Sequence, residues 1–176
     1  MSVQARRIVE TLRAQRVSHV VSLPDNASAA LLARLREDGA PRLVAVTREG
    51  EAFAIAAGLW VGGARPLVLI QNTGLLESGD ALRGTAMRMR VPLVCLVTVR
   101  GHATLARAPG AAPGGQVLSR PDVDSVAVLT EPTLAAWGVP FTLLRDDADL
   151  PRLAQAFADA ERLEQPVAVL LPGETA

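Results

Sequence analysis

The chain has 176 residues, enough for one domain with a substantial apolar core. Its 18 basic and 18 acidic residues balance, so its net charge gives no indication of binding to nucleic acid or to an anionic membrane. Every basic residue is arginine, and a chain without lysine cannot form a Schiff base or carry a Walker-type phosphate loop.

The single cysteine, Cys95, lies in the apolar run PLVCLVTV and is interpreted as a buried small side chain rather than a nucleophile. One cysteine permits no disulfide within the chain, which is compatible with a reducing compartment. The amphipathic start MSVQARRIVETLRAQ lacks the continuous apolar segment of a signal peptide, and no run approaches the length of a membrane span. We therefore expect a soluble, cytoplasmic protein.

Apolar runs and amphipathic helical patterns alternate along the chain. Runs rich in β-branched residues predict strands at Val20–Leu23, Leu43–Val46, Leu67–Ile70, Leu93–Val97, Phe141–Leu144 and Val167–Leu171. Gly39 and the pair at 62–63 mark helix ends, and Pro151 suits a first helical turn. Because the strands are continuously apolar and joined through helices, we predict one α/β domain over residues 1–176, with three layers and a mostly parallel sheet of about six strands.

One segment, residues 98–120, interrupts this alternation. It contains the sequence GHATLARAPGAAPGGQ, and a loop of this length inside a compact domain is usually either a functional lid or a disordered segment. The Gly, Ala and Pro content is compatible with both, and the sequence leaves the two open.

Polar residues follow four consecutive predicted strands. They are Pro24-Asp25-Asn26, Thr47-Arg48-Glu49-Gly50, Gln71-Asn72-Thr73-Gly74 and Arg100-Gly101-His102. Because ligands bind at the carboxyl ends of the strands in an open α/β sheet, these segments together predict a functional site.

The residues of these segments resemble a known family. TREGEAFAIAAGLWVGG resembles the glutamate-bearing helix of the pyrimidine-binding domain in thiamine-diphosphate enzymes, with Glu49 at its start and Gly58 nine positions later. SLPDNASAAL, LIQNTGLLESGDAL and VRGH are similar to the corresponding segments of sulfopyruvate and phosphonopyruvate decarboxylases. The resemblance extends from about Val17 to Gly101 and implies the thiamine-diphosphate-binding fold of the Pyr type.

The resemblance also implies roles for individual residues. Glu49 matches the carboxyl group that hydrogen-bonds pyrimidine N1' of the cofactor and promotes the imino tautomer of its 4'-amino group, which takes the C2 proton. Asp25 matches an active-site aspartate that follows the first strand in this family, and His102 lies where related pyruvate decarboxylases carry histidines that assist proton transfer, so both are predicted catalytic residues. The predicted cofactor-binding residues are Glu49, Gln71, Asn72, Thr73 and Gly74, and the predicted substrate-binding residues are Asp25, Asn26 and Arg100. A guanidinium can hold a carboxylate, sulfonate or phosphonate through two hydrogen bonds.

Each of these residues also has a purely structural interpretation. Glu49 could be a favourable carboxylate at a helix start, and Asp25 and Asn26 could cap a helix. Arg100 could pair with a structural carboxylate, His102 could be a solvated loop residue, and the polar pair after the third strand could satisfy backbone groups of a turn.

The part of a thiamine enzyme that binds magnesium and the diphosphate has no counterpart in this sequence. The similar triplet Gly79-Asp80-Ala81 lacks the second glycine of the family's Gly-Asp-Gly motif. The resemblance therefore implies no metal ligand in this chain, a β subunit that carries the diphosphate and Mg²⁺ site, and a hetero-oligomer with at least two of each subunit. The family turn Gly-Leu-Gly-Asn is here Gly74-Leu75-Leu76-Glu77, a change that should alter the pocket.

The resulting prediction is the α subunit of a heteromeric thiamine-diphosphate-dependent decarboxylase. It would convert a small anionic 2-oxoacid, of the sulfopyruvate or phosphonopyruvate type, to the aldehyde and carbon dioxide. Two alternatives stay open: a subunit of a carboligating or oxidising enzyme with the same cofactor, and a degenerate binding or regulatory subunit without catalytic activity.

Overall fold

The computed structural model describes residues 2–110 and 113–176. Within these residues the strands are β1 His19–Ser22, β2 Arg42–Ala45, β3 Pro66–Gln71, β4 Val94–Thr98, β5 Phe141–Leu143 and β6 Val167–Leu171. All neighbouring strands pair in parallel, in the order β2-β1-β3-β4-β6-β5. The predicted α/β fold with about six parallel strands is confirmed.

Helices connect the strands and cover both faces of the sheet. They are α1 Ala5–Ala14, α2 Ala29–Asp38, α3 Glu49–Val61, α4 Asn72–Glu77, α5 Gly79–Ala81, α6 Gly115–Leu118, α7 Ser125–Ala136 and α8 Leu150–Leu163. Helix α5 continues as a π-helix over Leu82–Met87, and short 3₁₀ helices occupy His102–Arg107 and Asp147–Asp149. None of the helices described is both long and apolar enough to cross a membrane.

The sheet separates two apolar clusters, which gives the predicted three layers. Ile8 of α1, Leu31 of α2 and Phe157 of α8 pack on one face. Phe53 of α3 and Leu134 of α7 pack on the other. The central strands β3, β4 and β6 contribute side chains to both clusters because successive residues of a strand point to opposite faces. Burial on both faces explains why these strands are continuously apolar in sequence.

The helix ends agree with the punctuation in the sequence. Helices α2 and α3 end immediately before Gly39 and Gly62, and Pro151 lies in the first turn of α8. Proline is tolerated there because the first turn of a helix has no internal acceptor for the missing N–H.

The order of the strands creates a crevice at one edge of the sheet. The chain runs outward from β1 to β2 and then returns to β3 on the other side of β1. The connections that leave the carboxyl ends of β1 and β3 therefore diverge to opposite sides, which is the position where ligands bind in open α/β sheets.

The segment 98–120 is partly helical and is attached to the start of α7. Thr98 completes β4, and the 3₁₀ helix and α6 follow. The Thr104 hydroxyl donates to the carbonyl of Gly101 at 2.7 Å and accepts from the N–H of Asp124 at 2.9 Å. Nη1 of Arg107 donates to the carbonyl of Asp122 at 2.9 Å. Residues 111–112, inside the predicted loop, lie outside the described residues.

Candidate active site

Glu49 is the first residue of α3 and lies at the carboxyl end of β2. Its side chain lies directly over the backbone of Gly74 in α4, where a Cβ atom would overlap Cγ, Cδ and Oε1 of the glutamate. The side chain is half-buried, and within 2–110 and 113–176 its carboxylate forms no hydrogen bond or ion pair, although its charge contributes to the raised pKa of the neighbouring Arg48. A free carboxylate at this edge of the sheet can accept a hydrogen bond from a ligand.

Glu51, one position beyond Gly50, has a different function. Its Oε2 accepts hydrogen bonds from the N–H of Thr47 at 3.1 Å, the hydroxyl of Thr47 at 3.0 Å and the N–H of Arg48 at 3.2 Å. These bonds, first the one from the backbone of Thr47, hold the pKa of Glu51 below its ordinary value. A glutamate in the first turn that binds the preceding backbone caps the helix. Glu51 therefore stabilises the first turn of α3, whereas the carboxylate of Glu49 forms no such hydrogen bond.

An ion pair connects the two helices beside Glu49. Nη2 of Arg48 donates to Oε1 of Glu77, at the end of α4. This hydrogen bond is the main reason why the pKa of Arg48 is raised and that of Glu77 lowered. Glu77 is the additional carboxylate of the altered family turn. In the structure its charge is balanced by Arg48, and Leu76, the bulky residue of the altered turn, is half-buried.

Both carboxylate oxygens of Asp25 are engaged in hydrogen bonds. Oδ1 accepts from the N–H groups of Ala27 at 2.8 Å and Ser28 at 3.1 Å. Oδ2 accepts from the hydroxyls of Ser28 at 2.8 Å and Thr98 at 3.2 Å. Asp25 thus has the structural role considered above, because it organises the turn before α2 and ties it to the end of β4. Its neighbour Asn26 is exposed.

Asn72 is fully buried and holds the segment after β4. Its Nδ2 donates to the carbonyl of Arg100 at 3.1 Å and to the hydroxyl of Thr130 at 3.1 Å, and its Oδ1 accepts from the N–H of Arg100 at 3.1 Å. The side chain therefore pairs with this peptide much as a neighbouring strand would. In this arrangement the side chain of Asn72 is buried and its amide is occupied by Arg100 and Thr130.

Arg100 pairs with a structural carboxylate. Its Nε lies 3.1 Å from Oδ2 of Asp124, whose Oδ1 accepts from the N–H of Val126 at 3.0 Å and caps α7. The next residue, Gly101, has a φ of 78°, and a Cβ at this position would overlap the side chain of Asp124. Glycine is needed at position 101 for both reasons. His102 follows, half-buried, at the start of the 3₁₀ helix.

A cleft of about 330 Å³ opens at the carboxyl ends of β1, β3, β4 and β6. It brings together four of the predicted site residues, Asn26, Gln71, Arg100 and His102. Thr73 is exposed and donates its hydroxyl to Oε1 of Gln71 at 3.1 Å, while Glu49 and Gly74 face each other between α3 and α4.

One segment that lines this cleft was not among the site segments predicted from the sequence. Pro172, Gly173 and Glu174, directly after β6, line it together with the start of the 3₁₀ helix. The signal was present, because the segment follows a correctly predicted strand, as the other four do. In the described part of the chain, no group of three or more His, Cys, Asp or Glu side chains is arranged to hold a metal ion.

Solved structures identify the fold. The whole chain aligns with 31% of benzoylformate decarboxylase from Polynucleobacter necessarius, with a TM-score of 0.68 and 21% identity. It aligns over 99% of its length with 32% of a putative thiamin diphosphate-dependent enzyme from Mycobacterium smegmatis, with a TM-score of 0.67 and 20% identity. At such identities the likeness shows the fold, an α/β domain that also occurs in thiamine-diphosphate enzymes.

The family follows from the sequence match. Residues 4–120 match the family described as thiamine pyrophosphate enzyme, N-terminal TPP binding domain. The chain belongs to this family, and the family predicted from its motifs is confirmed.

Curated relatives match about half of the chain. Phosphonopyruvate decarboxylase of Streptomyces viridochromogenes is 36% identical over 98 residues, which are 56% of this chain and 25% of the relative. The α subunit of sulfopyruvate decarboxylase of Methanocaldococcus jannaschii is 29% identical over 94 residues, which are 53% of this chain and 56% of the relative. The matched region thus spans between a quarter and just over half of these proteins.

Proposed function

We propose that this chain is the α subunit of a heteromeric thiamine-diphosphate-dependent decarboxylase that acts on a small anionic 2-oxoacid. The observation that carries the proposal is the free carboxylate of Glu49 against Gly74, at the carboxyl edge of the sheet. The family membership of residues 4–120 supports the choice of cofactor.

The residues present fit the pyrimidine end of the cofactor. Glu49 is half-buried and free to hydrogen-bond a ring nitrogen, and the missing side chain of Gly74 leaves room for the glutamate beside the backbone. Gln71 and Thr73 add polar groups at the neighbouring strand end. When bound, thiamine diphosphate supplies a thiazolium carbon that adds to the ketone of a 2-oxoacid and accepts the electron pair as carbon dioxide leaves.

The cleft at the carboxyl ends of β1, β3, β4 and β6 is proposed to take the substrate. Asn26 and Arg100 bring hydrogen-bond donors to the cleft, and His102 lines it shortly after β4. We propose that His102 moves a proton at the reacting carbon. Asp25 would contribute by orientation, because its four hydrogen bonds fix the turn that presents Asn26.

A second subunit is part of the proposal. Three relatives are named as α subunits, which supports a β subunit that holds Mg²⁺ and the diphosphate. We propose a hetero-oligomer with at least two copies of each subunit. In it, one domain of each type would meet around each cofactor. Sulfopyruvate and phosphonopyruvate are the substrates that the names of the relatives suggest, and the charges of the cleft decide whether a second anionic group is accepted.

Two other functions would use the same fold. A carboligating or oxidising enzyme would share the Glu49 site and differ in what happens after carbon dioxide leaves. A regulatory subunit without catalytic activity would have no use for the free carboxylate of Glu49, so this residue favours an enzyme.

The test is reconstitution. The chain is mixed with the product of the neighbouring reading frame, thiamine diphosphate and Mg²⁺, and carbon dioxide release is measured with a panel of 2-oxoacids. We expect turnover by the mixture and none by the chain alone. Rapid turnover by the purified chain alone would contradict a site divided between two subunits. Acetolactate-type or acyl products without free aldehyde would favour the carboligating or oxidising enzyme instead.

A further inference from the structure

Glu174 is held at the mouth of the cleft by a segment that lies beyond the family match, which ends at residue 120. The N–H of Thr175 donates to the carbonyl of Ala27 at 3.0 Å, and the Thr175 hydroxyl donates to the same carbonyl at 3.1 Å. One residue further, the N–H of Ala176 donates to the carbonyl of Val3 at 3.0 Å. These bonds fix the backbone on one side of Glu174, and buried Leu171 fixes β6 on the other.

The charges around the cleft do not favour a further anion. The guanidinium of Arg100 is balanced by Asp124, and Asp124 cannot move away without uncapping α7. Glu174 lines the same cleft, and its exposed carboxylate has no cationic partner among the residues that the structure describes. An anion that bound Arg100 would therefore meet the carboxylate of Asp124 beside it and that of Glu174 in the lining of the same cleft, both of the same sign as the anion.

We infer that Glu174 is a specificity-determining residue that makes this cleft select against 2-oxoacids with a second anionic group. The substrate class that fits is a 2-oxoacid with one carboxylate and an uncharged side chain. This inference rests on the proposed function for the use of the cleft by 2-oxoacids. It differs from the substrates named for the relatives, which carry a sulfonate or a phosphonate in addition to the carboxylate.

The first experiment compares two substrates in the reconstituted complex. The ratio of kcat/KM for sulfopyruvate to kcat/KM for pyruvate is measured for the wild type, Glu174→Gln and Glu37→Gln. Glu37→Gln is the matched control, because this exposed glutamate lies near the end of α2, on the side of the amino ends of the strands, away from the cleft. We expect Glu174→Gln to raise the ratio about threefold to tenfold, the size of one solvent-screened charge interaction, and Glu37→Gln to leave it unchanged.

The second experiment does not depend on activity. Pyruvate and sulfopyruvate are titrated into the chain while the ring resonances of His102 are followed by NMR. His19, at the amino end of β1 and so away from the cleft, is the internal reference. Glu174→Gln should tighten sulfopyruvate relative to pyruvate by a similar factor, and high salt should reduce the difference through screening.

The two readouts separate the inference from the proposed function. If the complex decarboxylates no 2-oxoacid but the His102 titrations show the change in ratio, the charge selection stands and the proposed function is wrong. An unchanged ratio of affinities in Glu174→Gln, or no shift of His102 with either compound, overturns the inference.

Discussion

The side-chain amide of Asn72 holds the peptide of Arg100 through two hydrogen bonds of 3.1 Å, one in each direction. The two residues lie at the ends of neighbouring strands, so the side chain extends the pairing of β3 and β4 beyond their last backbone contact. The segment that carries Gly101 and His102 therefore leaves the sheet from a fixed point.

Replacing this amide should destabilise the fold. Asn72→Ala leaves the N–H and the carbonyl of Arg100 without their partner, so we expect the free energy of unfolding to fall by about 2–3 kcal/mol. Thr73→Ala is the control, because its hydroxyl is exposed and its loss should cost at most about 0.5 kcal/mol. Urea denaturation of both variants measures the difference, and equal midpoints would contradict this role for Asn72.

Gly74→Ala should harm the site without unfolding the protein. Alanine is the better helix former, yet its Cβ would overlap Glu49 and displace the carboxylate. We expect the affinity for thiamine diphosphate or the rate of its C2 proton exchange in the complex to fall at least about tenfold, since small displacements at a reacting centre are costly. Gly84→Ala is the matched control, because a Cβ there meets open space. Equal behaviour of the two variants would show that Glu49 does not need this close approach.

Glu49→Gln should abolish most of the cofactor activation and leave folding intact. The amide keeps the size of the side chain but cannot supply an acidic proton to the ring nitrogen. General acid–base contributions are about 10²–10⁴-fold, so C2 proton exchange of bound thiamine diphosphate should slow by that order. Glu51→Gln keeps an acceptor for the helix cap and should exchange at the wild-type rate. Wild-type exchange in Glu49→Gln, or slower exchange in Glu51→Gln, would show that the wrong carboxylate has been assigned.

Glu51 should instead contribute to stability in a pH-dependent way. The hydrogen bonds from Thr47 and Arg48 lower its pKa in the folded protein, so their stabilising effect is present above the pKa of the unfolded chain. The effect is lost as the pH falls through the lowered pKa. The wild type should therefore unfold at a higher temperature than Glu51→Gln at pH 7, and the gap should narrow as the pH falls below the ordinary pKa of a glutamate. A gap that stays constant throughout acid titration would argue against a cap that depends on charge.

The 98–120 segment should become more protected when the complex forms. It borders the cleft through His102, and its 3₁₀ helix is attached to the rest of the chain mainly through Thr104 and Arg107. A lid that closes over the substrate would lower amide hydrogen exchange in this segment on addition of the partner and cofactor. The exposed end of α2 serves as the reference region. Equal exchange of 98–120 in the free and assembled protein would exclude a lid.

The local pattern of the sequence was sufficient to predict the sheet. The run Val167–Leu171 is a strand with the predicted limits, and the other strands differ from their predictions by a single residue at one or both ends. Burial on both faces leaves a continuous apolar signal that is readable over a few residues. The location of the polar segments after the strands was predictable as well, because the carboxyl ends of parallel strands all lie on one side of the sheet.

The pairing of the polar side chains could not be read in this way. Asn72 and Arg100 are 28 positions apart, and Arg48 and Glu77 are 29 apart, so their contacts depend on how neighbouring strands leave the sheet. The residue types at Glu49 and Glu51 are identical, and only the fold shows that one accepts backbone hydrogen bonds while the other is free. Sequence motifs thus identified the site, and tertiary contacts divided the roles within it.

Cys95 gives the protein a built-in reporter of its own opening. This thiol, the single one in the sequence, lies on the central strand β4, and burial raises its pKa far above its ordinary value. A thiol reagent can therefore modify it only after the sheet has separated from its helices, and the labelling rate measures how often that happens. Thiamine diphosphate or a partner subunit that binds the folded chain should slow the labelling, and the logarithm of the labelling rate should fall in proportion to the stability that it adds.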